Sequence, residues 1–352
     1  MTKHKIKLAD NSEGILIKDN NQAIFNSKDY KFIFKKTTGF FARWGETTKD
    51  DGKLELGLPE IADIEISTAC KQGCAFCYKS NTTKGENMSL DTFKTIFSKL
   101  PPTIGQIAFG ITDIDANPDM WDIFDHSRAN GVIPNVTING SNMTPVLYDR
   151  LVNTMGAVAV SVYDKDTSYG AIKELTDRGM KQVNIHKMIC LENFEETKQV
   201  LNDYLTDPRL TKLNAIVLLS LKPKGRAENR FHKLPQDKFN ELVHFALNNN
   251  IPLGFDSCGC HKFLKSIEGI EEYKKMESFA EPCESTIYSS YINVDGYFFP
   301  CSFAENGNEN GLSVVECNDF LDDIWYNEKT NEFRKKAIEC RNCKISCSLF
   351  VI

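Results

Sequence analysis

Apolar residues fall into short runs over the first sixty positions and into longer, regularly alternating blocks after them. Residues 5–8, 14–17, 23–25 and 30–34 are apolar-rich and separated by polar turn residues, and Thr38-Gly39 leads into 40–44. Such runs predict strands, so residues 1–60 are expected to form a small N-terminal β-hairpin extension. Short hairpins need a packing partner, which a position over the end of the following domain would supply.

From 61 to about 250 the pattern alternates between strand and helix. Strand-like stretches at 61–67, 104–110, 132–138, 157–162, 182–189 and 214–221 are each followed by a helical one, at 90–100, 119–130, 147–155, 170–178, 195–205 and 236–249. Ser89 reads as an N-cap, Pro101-Pro102 as a stop and Gly179 as a C-terminal signal. Six βα units predict an α/β fold, with a parallel sheet covered by helices and functional groups at the carboxyl ends of its strands. Past Asn250 the rhythm breaks. Residues 254–261 read as a loop, 266–279 as a helix, 287–299 as a hairpin turning at Asp295-Gly296, and 318–338 as a helix before a cysteine-rich end. The expected domains are therefore 1–60, 61–250 and 251–352.

Composition narrows the picture. With 352 residues, 41% of them hydrophobic and 26% charged, the chain has the make-up of a globular protein with room for a sizeable core. A net charge of -6 argues against a broad phosphate-binding surface, so nucleic acid is not an expected partner. No apolar run approaches the roughly 20 residues that cross a bilayer. Met1-Thr-Lys-His-Lys lacks the apolar centre of a signal peptide, and a cytoplasmic location is the expectation. Clustered cysteines in an unexported chain point to metal or redox chemistry rather than disulfides, and this chain has 12.

The densest cluster follows the first strand of the alternating region: Cys70-Lys-Gln-Gly-Cys74-Ala-Phe-Cys77-Tyr78. Three thiols so close in sequence can converge on one point and leave a fourth position open. Thiolates select iron-sulfur clusters or zinc, and a structural zinc completed by a distant cysteine is the alternative reading. Cys-x3-Cys-x2-Cys with an aromatic before the last cysteine resembles the signature of radical S-adenosylmethionine (SAM) enzymes. The resemblance implies a [4Fe-4S] cluster on Cys70, Cys74 and Cys77, SAM on its free iron, and a partial (β/α)6 TIM-like barrel. It further implies reductive cleavage of SAM with an electron from a flavodoxin- or ferredoxin-type donor. Peptide-modifying members often begin with a winged-helix precursor-binding module, and no long amphipathic helix precedes Ile61 to suggest one.

Later strand ends would then carry SAM contacts. Gly110-Ile-Thr112-Asp113, with Pro118-Asp119 after it, is similar to a diverged Gly-Gly-Glu-Pro element, and Thr137-Ile-Asn139-Gly140 to the family's Thr-Asn-Gly. Ser161 ends the fourth strand, and Pro223-Lys-Gly-Arg226-Ala227 resembles the Pro-x-Gly-Arg-Ala of members with extra clusters. The resemblance thus implies SAM contacts from Tyr78, Thr112, Asp113, Asn139, Ser161 and Arg226. Turns with capping aspartates and a solvated basic turn are the alternatives on composition alone. His186, on the fifth strand, points either to substrate or into packing.

The tail holds a second constellation. Cys283, Gly296 and Cys301 resemble the Cys-x9-15-Gly-x4-Cys element of SPASM and Twitch domains, with Cys258 and Cys260 upstream and Cys340, Cys343 and Cys347 downstream. The resemblance implies one auxiliary [4Fe-4S] cluster, most simply on Cys258, Cys283, Cys301 and Cys347, with Cys340, Cys343 or Cys260 as alternates. A structural zinc on four of these thiols is the alternative. Cys190 and Cys317 stand alone in apolar surroundings and are expected to be buried thiols. The function implied is hydrogen abstraction from a peptide or protein, oxidising or crosslinking it. A small molecule or nucleoside as substrate, and a non-enzymatic zinc or iron-sulfur interaction protein, are the alternatives.

Overall fold

Strands dominate the amino-terminal part of the computed structural model, which describes residues 1–46 and 57–342. Strands β1 (Thr2–Lys7), β2 (Glu13–Lys18), β3 (Gln22–Asn26), β4 (Lys31–Lys35) and β5 (Phe40–Trp44) pair antiparallel in chain order. Alternation gathers Ile6, Leu16, Ala23, Phe25, Phe32 and Phe34 on one buried face. Phe34 presses on Gly105, where a Cβ would stand 2.8 Å from its ring. Lys18 Nζ donates to the Pro102 carbonyl at 2.8 Å, and Ile133 shares the meander's core. Gly105 and Ile133 lie at the start of the strands that follow, so the meander covers the amino-terminal ends of those strands. Arg43 fastens it from inside: its Nη2 lies 2.8 Å from the buried Glu60 carboxylate, and its guanidinium 3.6 Å above the Tyr288 ring.

The main sheet begins with β6 (Ile61–Glu65) and adds β7 (Gln106–Gly110), β8 (Ile133–Ile138), β9 (Ala157–Ser161), β10 (Val183–Ile189), β11 (Ala215–Ser220) and β12 (Leu253–Phe255), each parallel to the last. Between them run α1 (Leu90–Lys99), α2 (Met120–Ala129), α3 (Pro145–Thr154), α4 (Lys165–Asp177), α5 (Phe194–Thr206) and α6 (Gln236–Asn248). Ser89 caps α1 through Thr92 N at 3.1 Å, as its position predicts. Ile64, Phe109, Val136, Val160, Ile185 and Leu218 form the fully covered face of the sheet. The residues one step along are different: Gln106, Asn135, Thr137, Asn184 and His186 are polar and only half-buried. One face of the sheet packs under helices, and the other lines an accessible polar surface.

Past residue 250 the structure corrects the sequence reading. The stretch 254–261 is not a loop: β12 extends the parallel sheet there, and the 3-10 turn Ser257–Gly259 leads into α7 (Cys260–Ile267). A three-residue strand is too short to show a period, which is why it is invisible in the pattern. The helix expected over 266–279 is split, because α7 ends at Ile267, Gly269 turns with φ +76°, and only a 3-10 stretch follows at Glu271–Phe279. The helix expected over 318–338 is likewise a π turn at Leu321–Trp325 and then α8 (Glu328–Asn342). The hairpin of β13 (Ser289–Ile292) and β14 (Tyr297–Phe299) turns at Asp295-Gly296 as expected. It does not stand apart, because β13 pairs parallel with β6, and β15 (Leu312–Ser313) completes a sheet of ten strands. The helix expected at 170–178 begins earlier, where Asp164 caps α4 through Thr167 N at 2.9 Å. Among the described residues no helix is long and apolar enough to cross a membrane.

Candidate functional site

Cys70, Cys74 and Cys77 lie on the long connection from β6 to α1, at the carboxyl end of the first parallel strand, and all three thiols are half-buried. Backbone bonds hold the connection to itself. Cys70 N donates to Thr82 O at 2.8 Å, Thr68 N to Glu86 O at 2.9 Å, and Cys77 N to Cys74 O at 3.2 Å. Gly73 takes φ +60° between the first two cysteines, a conformation that a side chain would strain. Phe76 anchors the tip between Tyr163 and Phe231, at ring distances of 5.2 and 6.3 Å.

The floor of this loop comes from far along the chain. Arg226 N donates to Cys77 O at 3.0 Å, its Nε to Cys74 O at 2.9 Å and its Nη1 to Asn81 O at 3.0 Å. Gly225, at φ +63°, presses so closely that a Cβ there would lie 2.4 Å from Tyr78 O. The Arg226 Nη2 is buried without a hydrogen-bond partner. Burial, and then the neighbouring Cys70 and Cys77, push the Cys74 thiol upward, so the three sulfurs are within one another's field. Three uncrosslinked thiols, a guanidinium behind their loop and one orphaned donor suit an anionic iron-sulfur group held by three ligands.

The strand ends beside the loop are tied to it. Asp113 accepts from Gln72 Nε2 at 2.9 Å and from Asn139 Nδ2 at 3.4 Å, and Thr112 donates to the Ala69 carbonyl. The structure thus gathers Thr112, Asp113 and Asn139 around the cysteine loop. The Ser161 carbonyl accepts from Ser168 Oγ at 3.1 Å, and Arg226 is engaged with carbonyls beneath the loop. Tyr78 turns toward the tail, its ring 4.6 Å from Phe303. His186 lies on the accessible face with Nδ1 3.3 Å from Thr137 Oγ1, and burial pulls its pKa down to about 4.

The tail cysteines come from separate segments. Cys258 sits on the 3-10 turn Ser257–Gly259 after β12, Cys301 two residues beyond β14, and Cys283 on the approach to β13. Cys258 and Cys301 feel each other's charge, and burial is the main influence raising both thiols. Cys260 is wholly buried on α7. The Cys340 side chain, Cys343 and Cys347 lie outside the described residues. Cys190 and Cys317 are buried in apolar surroundings, the latter bonded to Val314 O at 3.2 Å.

Two polar clusters flank the cysteine sites, the first of them outside the sequence reading. Lys79 lies 3.1 Å from Glu65 Oε2, pairs with Glu305 and donates to Tyr291 Oη at 2.8 Å. It ties the first cysteine loop to the segment after Cys301. Burial lifts Glu65 above the usual carboxylate range, whereas in Glu305 the Lys79 contacts outweigh burial and hold it low. The available signal was the alternation of Asp63 and Glu65 with Ala62 and Ile64, which marks an inward polar face. The second cluster joins Lys222, Asp256 and Cys258. Lys222 Nζ lies 3.1 Å from Asp256 Oδ2, and the charges of Asp256 and Cys258 outweigh burial to raise its pKa.

Residues 283–347 match the profile of the SPASM iron-sulfur cluster-binding domain. Over 293 residues the chain is 23% identical to the sporulation killing factor maturation protein SkfB of Bacillus subtilis (strain 168), a match that takes in 76% of this chain and 67% of that one. Within this chain the SPASM match takes in Cys283, Cys301, Cys340, Cys343 and Cys347. SuiB of Streptococcus suis, in a structure bound to its precursor peptide SuiA, has the same fold at a TM-score of 0.70 and 13% identity, covering 91% of this chain and 90% of that one. The structure of anSMEcpe with bound AdoMet and a Cp18Cys peptide aligns at a TM-score of 0.59 and 12% identity, covering 82% and 89%.

Proposed function

We propose that this chain is a radical SAM enzyme that acts on a peptide, oxidising or crosslinking it, with β6–β12 as a partial barrel whose polar inner face holds the substrate. The observation that carries this reading is the tie between the first cysteine loop and the segment that follows Cys301, through the Tyr78–Phe303 and Lys79–Glu305 contacts. The similarity to SkfB, a maturation protein, and the shared fold with peptide-bound SuiB supply the substrate class.

In this reading Cys70, Cys74 and Cys77 would hold the SAM-binding cluster, and Cys258, Cys283, Cys301 and Cys347 the auxiliary one. Bound there and given an electron from a flavodoxin- or ferredoxin-type donor, the cofactors supply a 5'-deoxyadenosyl radical that takes a hydrogen atom from substrate carbon. The chain's own residues do the holding. Arg226 sets the path of the first cysteine loop by binding three of its carbonyls. Asp113, supported by Gln72 and Asn139, presents a carboxylate at the strand ends that can receive the ammonium of SAM. Gln106, Asn135, Thr137 and His186 offer hydrogen bonds to a peptide backbone laid across the inner face.

Anaerobically reconstituted protein, given SAM and dithionite, is expected to release 5'-deoxyadenosine and to contain iron rather than zinc. Failure on either count would sink the enzyme reading. Incubation with a peptide encoded beside the gene is expected to change that peptide's mass by loss of two hydrogens. An unchanged peptide with an altered nucleoside or other small molecule would move the substrate class to the alternative.

A further inference from the structure

The segment that leaves β11 touches both cysteine sites within a few residues. Its far end, Gly225-Arg226, lies under the Cys70–Cys77 loop. Its near end, Lys222, lies near Cys258, and between them Lys224 Nζ donates to Phe303 O at 3.1 Å. The Lys222 side chain is 14% exposed. Its ammonium touches Asp256 Oδ2 at 3.1 Å and Ser220 O at 3.3 Å and lies 5.0 Å from the centre of the Phe303 ring, and its charge acts on the Cys258 thiol, two residues beyond Asp256. Asp256 is in turn pinned by Ser220, whose Oγ and N donate to it at 3.0 and 3.2 Å. The cation is therefore fixed in place by a carboxylate that is itself fixed. Of the two charges, Lys222 acts on Cys258 more strongly than Asp256 does.

We propose that Lys222 is the resident counter-charge of the auxiliary cluster, positioned by Asp256 near the Cys258 ligand so that it raises the cluster's reduction potential. The inference rests on the assignment of Cys258 as an auxiliary ligand. A buried ammonium near a cysteine sulfur stabilises, through its charge, the more negative, reduced state of the group that sulfur holds. Lys222 is a positioning and tuning residue and need not touch substrate. Its place after the sixth strand, on the segment that also carries Arg226, means that one run of chain sets the electrostatics of both sites.

The test uses full-length reconstituted protein in a Cys70→Ala/Cys74→Ala/Cys77→Ala background, so that only the tail cluster contributes to an EPR-monitored redox titration. Lys222→Gln is expected to lower the midpoint potential with iron content unchanged, and Lys222→Arg to restore it. An unmoved potential in an iron-replete Lys222→Gln protein overturns the proposal. If Lys222→Gln does not retain iron, Lys222→Met, which keeps the length of the stem without its charge, is titrated in its place: a lowered midpoint is expected, and a midpoint unchanged from the parent overturns the proposal. Cys258→Ala in the same background keeps the two claims apart. Loss of tail iron upholds the ligand assignment, and full retention removes it and the proposal's footing together.

Discussion

The two cysteine sites are built in opposite ways. Cys70, Cys74 and Cys77 share one loop, whose backbone bonds run mostly within residues 68–86. Cys258, Cys283 and Cys301 come from three segments separated by α7 and the β13–β14 hairpin, and Cys301 comes within the field of Cys258 only because β12 and that hairpin belong to one sheet. A local site can be read from spacing; a dispersed one is defined by the fold. Yet the local site is not self-sufficient, because its floor is Arg226, about 150 residues away in sequence, donating to Cys74 O at |i−j| = 152.

Removing the local thiols is expected to break the comparison most sharply. Cys70→Ala/Cys74→Ala/Cys77→Ala should bring 5'-deoxyadenosine formation below detection while tail iron remains; loss of all iron would show that the sites are not separable. Cys283→Ala/Cys301→Ala should do the reverse, leaving SAM cleavage within a few-fold of the parent but abolishing the peptide product by mass spectrometry.

Arg226→Ala sharpens the contrast between local and long-range support. It removes three carbonyl partners, and with charged hydrogen bonds contributing about 1.5–3 kcal/mol each, the first loop should lose much of its order. SAM cleavage is expected to fall at least about tenfold in an enzyme that still folds, with iron lost from the first site before the tail. Equal loss from both sites would contradict the placement of Arg226 as the floor of one.

The smallest effect concerns His186. Its folded pKa of about 4 lies below the ordinary 6.5, so between those values the unfolded chain binds more protons than the native one. Stability should therefore fall as pH drops from about 6.5 toward 4. His186→Gln should flatten that part of a melting-temperature profile against pH, and an unchanged slope would mean that His186 is not held neutral.

Much of the fold was legible in the chain because it rests on local signals. Ser89, Pro101-Pro102 and the alternation at 61–66 place α1 and β6 closely, and Cys-x3-Cys-x2-Cys needs only eight residues to be recognised. The errors gather after residue 250, where strands of two to four residues carry no period and derive their stability from sheet neighbours. Arg226 was expected against SAM, and the structure finds it on the carbonyls of Cys74, Cys77 and Asn81. Backbone acceptors are present at every residue and leave no mark in sequence, so a side chain that serves them cannot be assigned from spacing.

The sequence by itself determined the element types, the half-open trio of thiols and the set of cysteines available to a second site. Tertiary structure decided which distant residues those thiols meet: Gly225-Arg226 beneath the first loop, Lys79 between Glu65 and Glu305, and Lys222 held by Asp256 near Cys258. The reason is that hydrophobic periodicity acts over a few residues and is carried by each segment alone, whereas burial of a charge requires a partner, and which partner arrives depends on how the whole sheet is assembled.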